Sequence, residues 1–148
     1  MDPQFKFDLL LAMAVGFGFM MLFRMWPRIQ AKMIGVPFIS AEEAKRRMDE
    51  DSGVLVIDVR TAGEFTGALG HIEGALNLES GNLHQKLLAL GDQLDPYKSE
   101  QIIVACRTQN RSPKAARILY QSGFGKLAIL DGGMVGWEKA GYSVAGKG

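Results

Sequence analysis

The chain has one cysteine, Cys106, and polar residues follow it at once. It comes directly after an apolar run, Ile102–Ala105, and shortly before a Ser-Pro pair at which a helix can begin. In an α/β protein, chemistry concentrates where a strand ends and gives way to a loop and a helix. Successive backbone N–H groups of such a loop can turn inward and bind an anion, and the positive end of the next helix adds to their effect. The pattern therefore favours a reactive Cys106 thiolate.

The residues after Cys106 are those expected to bind its substrate: Arg107, Thr108, Gln109, Asn110 and Arg111. The two arginines would hold an anionic substrate and stabilise the thiolate. The alternative is that Cys106 is a small buried core residue, because unpaired cysteines are among the most buried residue types. That alternative does not explain the polar run that follows the cysteine.

Composition excludes several classes of protein. The chain has 148 residues, enough for one ordinary domain, with 17 Lys+Arg against 16 Asp+Glu. This near-neutral balance and the lack of a polybasic run argue against nucleic-acid binding. A single cysteine excludes an internal disulfide framework and any zinc or iron–sulfur site that needs several cysteines. We expect neither a metal nor a cofactor.

The elements that must position Cys106 alternate between strands and helices. Apolar runs predict strands at Val36–Ile39, Val54–Val59, Ala75–Leu78, Ile102–Ala105 and Leu127–Leu130. Helices are predicted from Ser40 to about Asp49 with a Ser40/Glu43 capping box, at Leu83–Leu90, from Ser112 as N-cap with Pro113 first to Ser122, and at Met134–Ala140. This alternation predicts an α/β three-layer sandwich with a mostly parallel central sheet.

The first 35 residues differ from the rest, since they hold six of the eight Met and five of the eight Phe. Residues 5–26 would form a helix about 33 Å long, enough to cross a bilayer. We therefore predict one transmembrane helix in residues 1–26 that Pro27 ends or kinks, a linker at 27–35 and a domain at 36–148. A cleaved signal peptide and a buried or interfacial helix are the alternatives.

Basic residues flank the predicted span unequally, with Lys6 before it and Arg24, Arg28 and Lys32 after it. The positive-inside rule then gives a single-pass protein of the inner membrane whose C-terminal domain faces the cytoplasm. Membrane lipid is thus an expected partner.

Small residues four apart, Ala12/Gly16 and Ala14/Gly18, would permit close approach of two such helices. A homodimer through this segment is a hypothesis that follows from this spacing.

The region from about Val36 to Val144 resembles the single-domain form of the rhodanese (thiosulfate sulfurtransferase) family. The resemblance rests on separate motifs in the family's order: Val56–Arg60, Glu64-Phe65, Gly70–Asn77, the Cys106–Arg111 loop, and Leu130–Gly133 with Gly136-Trp137 and Gly141-Tyr142. It implies a rhodanese-like fold and a catalytic Cys106.

The chemistry implied by the resemblance is sulfur transfer. Cys106 would take the outer sulfur of a small anionic donor such as thiosulfate, become a persulfide, and pass the sulfur to cyanide or a thiol acceptor, in ping-pong fashion. The backbone N–H groups of residues 107–111 would cradle the persulfide, and Arg107 and Arg111 would orient the donor.

Loop length separates this activity from phosphatase activity. Phosphatases of the same fold have an arginine six positions after the cysteine, whereas Arg111 is five positions after Cys106. Two residues depart from the family pattern: Gln109 stands where many members have glycine, and Ser143 where proline is usual. A positive φ at Gln109 would strain the loop by about 1–2 kcal/mol.

Asp58 and Arg60 are candidate supporting residues at the end of a predicted strand. Asp58 would hydrogen-bond near the loop, and Arg60 would pair with Glu64 to fix the next helix. His71 could be imagined as a general base, but a thiolate stabilised by amides needs none, and we expect His71 to be structural. Trp137 is expected in the core and His84 on the surface.

Two functions of other classes compete with sulfur transfer. One is a non-catalytic module of the same fold that binds a partner at the membrane. The other is a redox sensor that oxidises Cys106 reversibly, although the chain has no second cysteine to resolve the oxidised form.

Overall fold

Five parallel strands form the centre of the molecule. The computed structural model describes residues 2–148, so Met1 of the predicted segment 1–26 lies outside the described residues. The strands are β1 (Phe38–Ile39), β2 (Leu55–Asp58), β3 (Leu76–Asn77), β4 (Gln101–Ala105) and β5 (Lys126–Leu130), in the spatial order β1-β5-β4-β2-β3. Each neighbouring pair runs parallel, so all five strands end at one edge, called here the carboxyl edge.

Helices cover both faces of this sheet. They are α1 (Pro3–Met33), α2 (Ala41–Glu50), α3 (Ala62–Phe65), α4 (Leu83–Leu90), α5 (Ser112–Gln121) and α6 (Gly133–Lys139), with 3-10 turns at Ser80–Asn82 and Gly91–Tyr97. Alternate strand residues enter two cores. One core packs against α4, α5 and the end of α1, and the other packs against α2 and α6. The predicted three-layer α/β architecture is confirmed.

The helix caps agree with the sequence patterns only in part. Ser40 accepts a hydrogen bond from the Glu43 N–H (3.2 Å), but the reciprocal capping box lies elsewhere, at Thr61 and Glu64, where it starts a short helix outside the predicted helix ranges. The prediction of Ser112 as N-cap of α5 is wrong: the helix begins at Ser112, and Arg111 takes the N-cap position without a side-chain cap.

The N-terminal helix is longer than predicted. It passes through Pro27 without ending and continues to Met33, so most of the predicted linker 27–35 is helical. Proline removes one hydrogen bond, and packing holds the turn that follows: Ala31 is fully buried, and Arg28 pairs with Asp131 at 3.2 Å.

The large apolar side chains of α1 from Phe5 to Trp26 are exposed. By length and composition this helix could cross a membrane, and none of its most apolar stretch is buried in the protein. A helix that belonged to the core would bury a stripe of these side chains, so the exposure argues against that alternative.

Candidate active site

Cys106 lies at the carboxyl edge, directly after the central strand β4, and is 1% exposed. The start of α6 holds the loop that follows it. The Cys106 carbonyl accepts a hydrogen bond from the Met134 N–H (2.8 Å), and the Arg107 carbonyl accepts one from the Val135 N–H (3.0 Å). These bonds take up two carbonyl groups of the loop and fix its backbone against a neighbouring helix.

Gly133 makes this close approach possible. Its φ is +57°, and a Cβ there would lie 2.4 Å from the carbonyl oxygens of both Cys106 and Thr108. Only glycine avoids both the strained backbone and the collision. The Gly132-Gly133 pair therefore lets the helix meet the cysteine loop backbone to backbone.

Gln109 fits the loop without backbone strain. It does not adopt a positive φ. Its side-chain Oε1 accepts a hydrogen bond from the Gly132 N–H at 2.9 Å, which adds a third hydrogen bond between the loop and the start of α6. The departure from glycine at this position is thus accommodated by a specific contact.

Arg111 does not stand free beside the cysteine, because Glu64 binds it. The guanidinium donates to both carboxylate oxygens, at 2.8 and 2.7 Å. Chiefly through these bonds, Arg111 lowers the pKa of Glu64 from its ordinary 4.5 to about 2, and Glu64 in turn raises the pKa of Arg111. Arg60, the predicted partner of Glu64, does not bind this carboxylate. The Thr61/Glu64 capping-box pattern predicts the position of Glu64 in its helix, but it gives no indication that Arg111, 47 residues away, binds the carboxylate.

The two loop arginines therefore differ in what they can do. Arg111 is committed to Glu64, whereas Arg107 is exposed and forms no ion pair with any other residue in the range 2–148. Arg107 also lines an open cleft of about 450 Å³, together with Arg60, Thr61, Gly63, Glu64, Gly67, Ala68 and Leu69. Of the two, Arg107 is the cation available to an incoming anion.

We expect the Arg111–Glu64 pair to make stability depend on acid. Because the pKa of Glu64 is lower in the folded chain, the pair stabilises above about pH 4.5, and this contribution is lost as the pH falls towards 2. The side chains are 35% and 29% exposed, so the contribution is about 1 kcal/mol.

Urea unfolding of the full chain in detergent, wild type against Glu64→Gln, measures this difference at about pH 5 and about pH 2.5. Wild type should lose about 1 kcal/mol more than the variant between the two conditions. Equal losses would mean that the pair adds nothing to folding.

Asp58 and Arg60, the candidate supporting residues, form a buried ion pair at the end of β2. Arg60 also donates to the backbone carbonyls of Glu64 and Gly70 (3.1 and 2.6 Å). The expected pairing of Arg60 with Glu64 therefore involves the main chain of Glu64, not its carboxylate. These contacts fix the chain that carries Glu64, and so act on the site through Arg111.

The remaining loop residues surround these contacts. Thr108 is half-buried, with its carbonyl oxygen against Gly133, and Asn110 is exposed.

Outside the loop, His71 lies within hydrogen-bond distance of the Phe65 carbonyl (Nδ1 to O, 2.9 Å), with its ring stacked on Phe65. Trp137 is buried and donates to the Ser143 carbonyl. Both contacts suit structural residues.

Ser112, the first residue of α5, is fully buried, and its hydroxyl has no hydrogen-bond partner among residues 2–148. An unpaired buried hydroxyl destabilises the folded state. Ser112→Ala should therefore leave the free energy of unfolding unchanged or raise it by up to about 1 kcal/mol, as measured by urea unfolding. A loss of more than about 1 kcal/mol would show that the hydroxyl is bonded in the folded protein.

Known proteins show the same fold and related sequences. Residues 40–140 match the family model of the rhodanese-like domain. A thiosulfate sulfurtransferase GlpE of Ectopseudomonas mendocina is 34% identical over 100 residues, which cover 68% of this chain and 83% of that protein. A putative sulfur carrier protein, YrkF of Bacillus subtilis, is 29% identical over 102 residues, 69% of this chain; the chain spans about half, 51%, of that longer protein.

A solved structure shows the same fold. A rhodanese-related protein from Thermoplasma volcanium superposes with a TM-score of 0.61 at 25% identity, over 74% of this chain and 98% of that one. The family match covers the strands β2 to β5, the Cys106 loop and the Gly132-Gly133 contact that holds it. This chain belongs to the rhodanese-like domain family.

Proposed function

We propose that this protein is a membrane-anchored sulfurtransferase that carries sulfur as a Cys106 persulfide. The observation that carries the proposal is the position of Cys106, buried at the end of the central strand in a loop of which two carbonyl groups accept hydrogen bonds from the start of α6. Carbonyls turned away to α6 leave the N–H groups of the loop for a sulfur anion. The names of the relatives, a thiosulfate sulfurtransferase and a sulfur carrier, fit this chemistry.

The proposed reaction has two displacements. The Cys106 thiolate attacks the outer sulfur of thiosulfate or a similar donor, the bond between the two donor sulfurs breaks, and sulfite leaves with the electron pair. Cyanide or an acceptor thiolate then attacks the outer sulfur of the persulfide, and Cys106 leaves as thiolate. The cysteine is restored without an external oxidant or reductant.

The intact mass of the full chain tests this proposal. Incubation with thiosulfate should add one sulfur, about 32 Da, and later addition of cyanide should remove it. The second step is needed because oxidation to a sulfinic acid adds almost the same mass but does not reverse with cyanide. No gain with thiosulfate or another sulfane donor would contradict sulfur transfer and favour a binding module. A reversible gain of one oxygen with peroxide alone would favour a redox sensor.

Arg107 is proposed to orient the anionic donor. Arg107→Ala should raise the KM for thiosulfate about tenfold, since one charge-assisted contact contributes about 1.5–3 kcal/mol. The KM for the cyanide acceptor should change much less. The matched control is Arg117→Ala, which removes an exposed arginine from α5. Equal effects of the two variants would mean that Arg107 acts only through the general charge of the domain.

The anchor is proposed from α1, whose exposed apolar side chains need a nonaqueous environment. The basic residues after the span favour a domain that faces the cytoplasm at the inner membrane. A reporter enzyme fused after Gly148 should behave as cytoplasmic. Periplasmic activity of that reporter would reverse the proposed orientation, and release of the chain from membranes by cleavage near residue 26 would favour a signal peptide.

A further inference from the structure

The end of α1 joins the domain close to the carboxyl edge of the sheet. The short turn Ile34–Pro37 joins the end of α1 to β1, which runs parallel to β5. The Val36 N–H donates to the Ala31 carbonyl across this turn (3.0 Å) and caps the helix. The two residues of β1 pair with Ile129 and Leu130, the last two residues of β5, so the junction of α1 and β1 lies close to the carboxyl edge.

Arg28 marks the point at which α1 reaches that edge. Its guanidinium lies 3.2 Å from the carboxylate of Asp131, the residue directly after β5. The next residue, Gly132, donates its N–H to Gln109 in the Cys106 loop. Arg28, Asp131 and Gln109 therefore form a short chain of contacts between the anchor helix and the loop.

The apolar part of α1 begins immediately beyond this point. Trp26 is exposed and stands two residues before Arg28, about 3 Å along the helix axis. From there to Pro3 the helix extends roughly another 35 Å with its large apolar side chains exposed. A bilayer that encloses these side chains ends close to Trp26 and Arg24, within about one Debye length of the carboxyl edge.

We propose that the carboxyl edge, with Cys106, faces the membrane surface, and that the Cys106 persulfide exchanges sulfur with thiols of membrane-bound proteins held at that surface. This inference rests on the membrane anchor of the proposed function. In the transfer, the acceptor thiolate bonds to the outer sulfur of the persulfide, the bond from that sulfur to Cys106 breaks, and Cys106 leaves with the electron pair. The acceptor becomes the persulfide, and no other reactant is consumed.

Two physical effects favour a membrane-held thiol over a small soluble anion. The anionic surface of a cytoplasmic leaflet, about −30 mV, lowers the local concentration of a dianion such as thiosulfate roughly tenfold. A thiol confined to the same surface reacts faster with the site, because its effective concentration there is far above its bulk value. A helix that is continuous from the bilayer to Met33 keeps this geometry fixed.

The orientation is tested with two labels on one helix. Lys114 and Gln121 are both exposed, and they lie seven residues apart, on the same face of α5 and about 10 Å apart along its axis. Each is replaced by cysteine in a full-length Cys106→Ser chain, labelled with a fluorophore, and reconstituted into phosphatidylcholine–phosphatidylglycerol vesicles with a quencher on the lipid headgroup. Lys114, at the carboxyl edge, should be quenched more strongly. Equal quenching, or stronger quenching at Gln121, would overturn the orientation.

The exchange is tested with a lipid that carries a thiol headgroup and with a soluble thiol of the same structure. Protein loaded with thiosulfate in detergent and reconstituted should lose its added sulfur to the lipid thiol about tenfold faster than a chain with a flexible Gly-Ser insertion between Pro27 and Arg28. Both chains should lose it equally to the soluble thiol. Equal rates with the lipid thiol would overturn the proposal.

The outcomes separate this inference from the proposed function. Failure of Cys106 to take up sulfur refutes the sulfurtransferase, but the quenching experiment still tests the orientation because it does not depend on sulfur uptake. Failure of the chain to stay with vesicles refutes the anchor. If the chain loads and stays with the vesicles, but the two labels are quenched equally and the insertion does not slow transfer to the lipid thiol, only the membrane-facing position of Cys106 is refuted.

Discussion

Replacing Cys106 with serine is expected to abolish sulfur transfer, with a loss of at least roughly 10³-fold in turnover. The reason is chemical: the persulfide needs a sulfur atom that attacks as an anion and leaves again as an anion, and a hydroxyl does neither at neutral pH. Serine has nearly the same size as cysteine, so the buried position should retain its packing. The assay is thiocyanate formation from thiosulfate and cyanide by the full chain in detergent.

A matched control separates the cysteine from its loop. Ser99 is exposed and precedes β4, at the opposite end of that strand from the Cys106 loop, so Cys106→Ser combined with Ser99→Cys keeps one thiol per chain but places it in solvent. This double variant should stay inactive, because a thiol in water has neither the loop N–H groups nor Arg107 beside it. Activity within about tenfold of wild type in Cys106→Ser, or recovery in the double variant, would contradict a catalytic Cys106.

The sheet and the position of the cysteine were predictable because their causes are local. Ile102–Ala105 and Leu127–Leu130 are continuous apolar runs, and strands of this kind are stable only when buried on both faces, as the central strands β4 and β5 are. Gly91 ends α4 as predicted, since its φ is positive. Once strands and helices alternate, the end of β4 must carry a loop at the carboxyl edge.

The contacts within the site were less predictable because they join distant parts of the chain. Glu64 binds Arg111 across 47 positions, and nothing in either local pattern prefers that partner to Arg60. The continuation of α1 past Pro27 likewise depends on packing, since Ala31 is buried only when the sheet is present. Helix propensity gives the free-energy penalty of a proline within a helix, and tertiary contacts determine whether the helix continues past it.

The second large effect is expected at the buried pair below the site, where Asp58→Ala should lower the free energy of unfolding by about 3–5 kcal/mol. Both side chains are 1% exposed. The Asp58 carboxylate receives the Arg60 Nε and Nη2 groups, with its shortest contact at 2.7 Å, and the Arg60 backbone N–H at 3.0 Å. Removing the carboxylate leaves the guanidinium buried without its counter-charge.

Two further variants show whether charge, not lost packing, causes this effect. Asp58→Leu combined with Arg60→Met removes both charges and should recover most of the lost stability, because an apolar pair of similar volume avoids the desolvation penalty. Asp95→Ala breaks the exposed Asp95–Lys98 pair and should change the free energy of unfolding by less than about 1 kcal/mol.

Urea unfolding of the full chain in detergent, followed through Trp137 in a Trp26→Phe background, measures all four proteins on one scale. Arg60 also donates to the Glu64 and Gly70 carbonyls, so Asp58→Ala should also loosen the Glu64–Arg111 contact and change the KM for thiosulfate. A loss below about 1 kcal/mol would mean that water reaches Arg60 in the variant and that the pair does not hold this part of the fold. A full loss of stability with an unchanged KM would show that Asp58 and Arg60 support the fold without positioning the site.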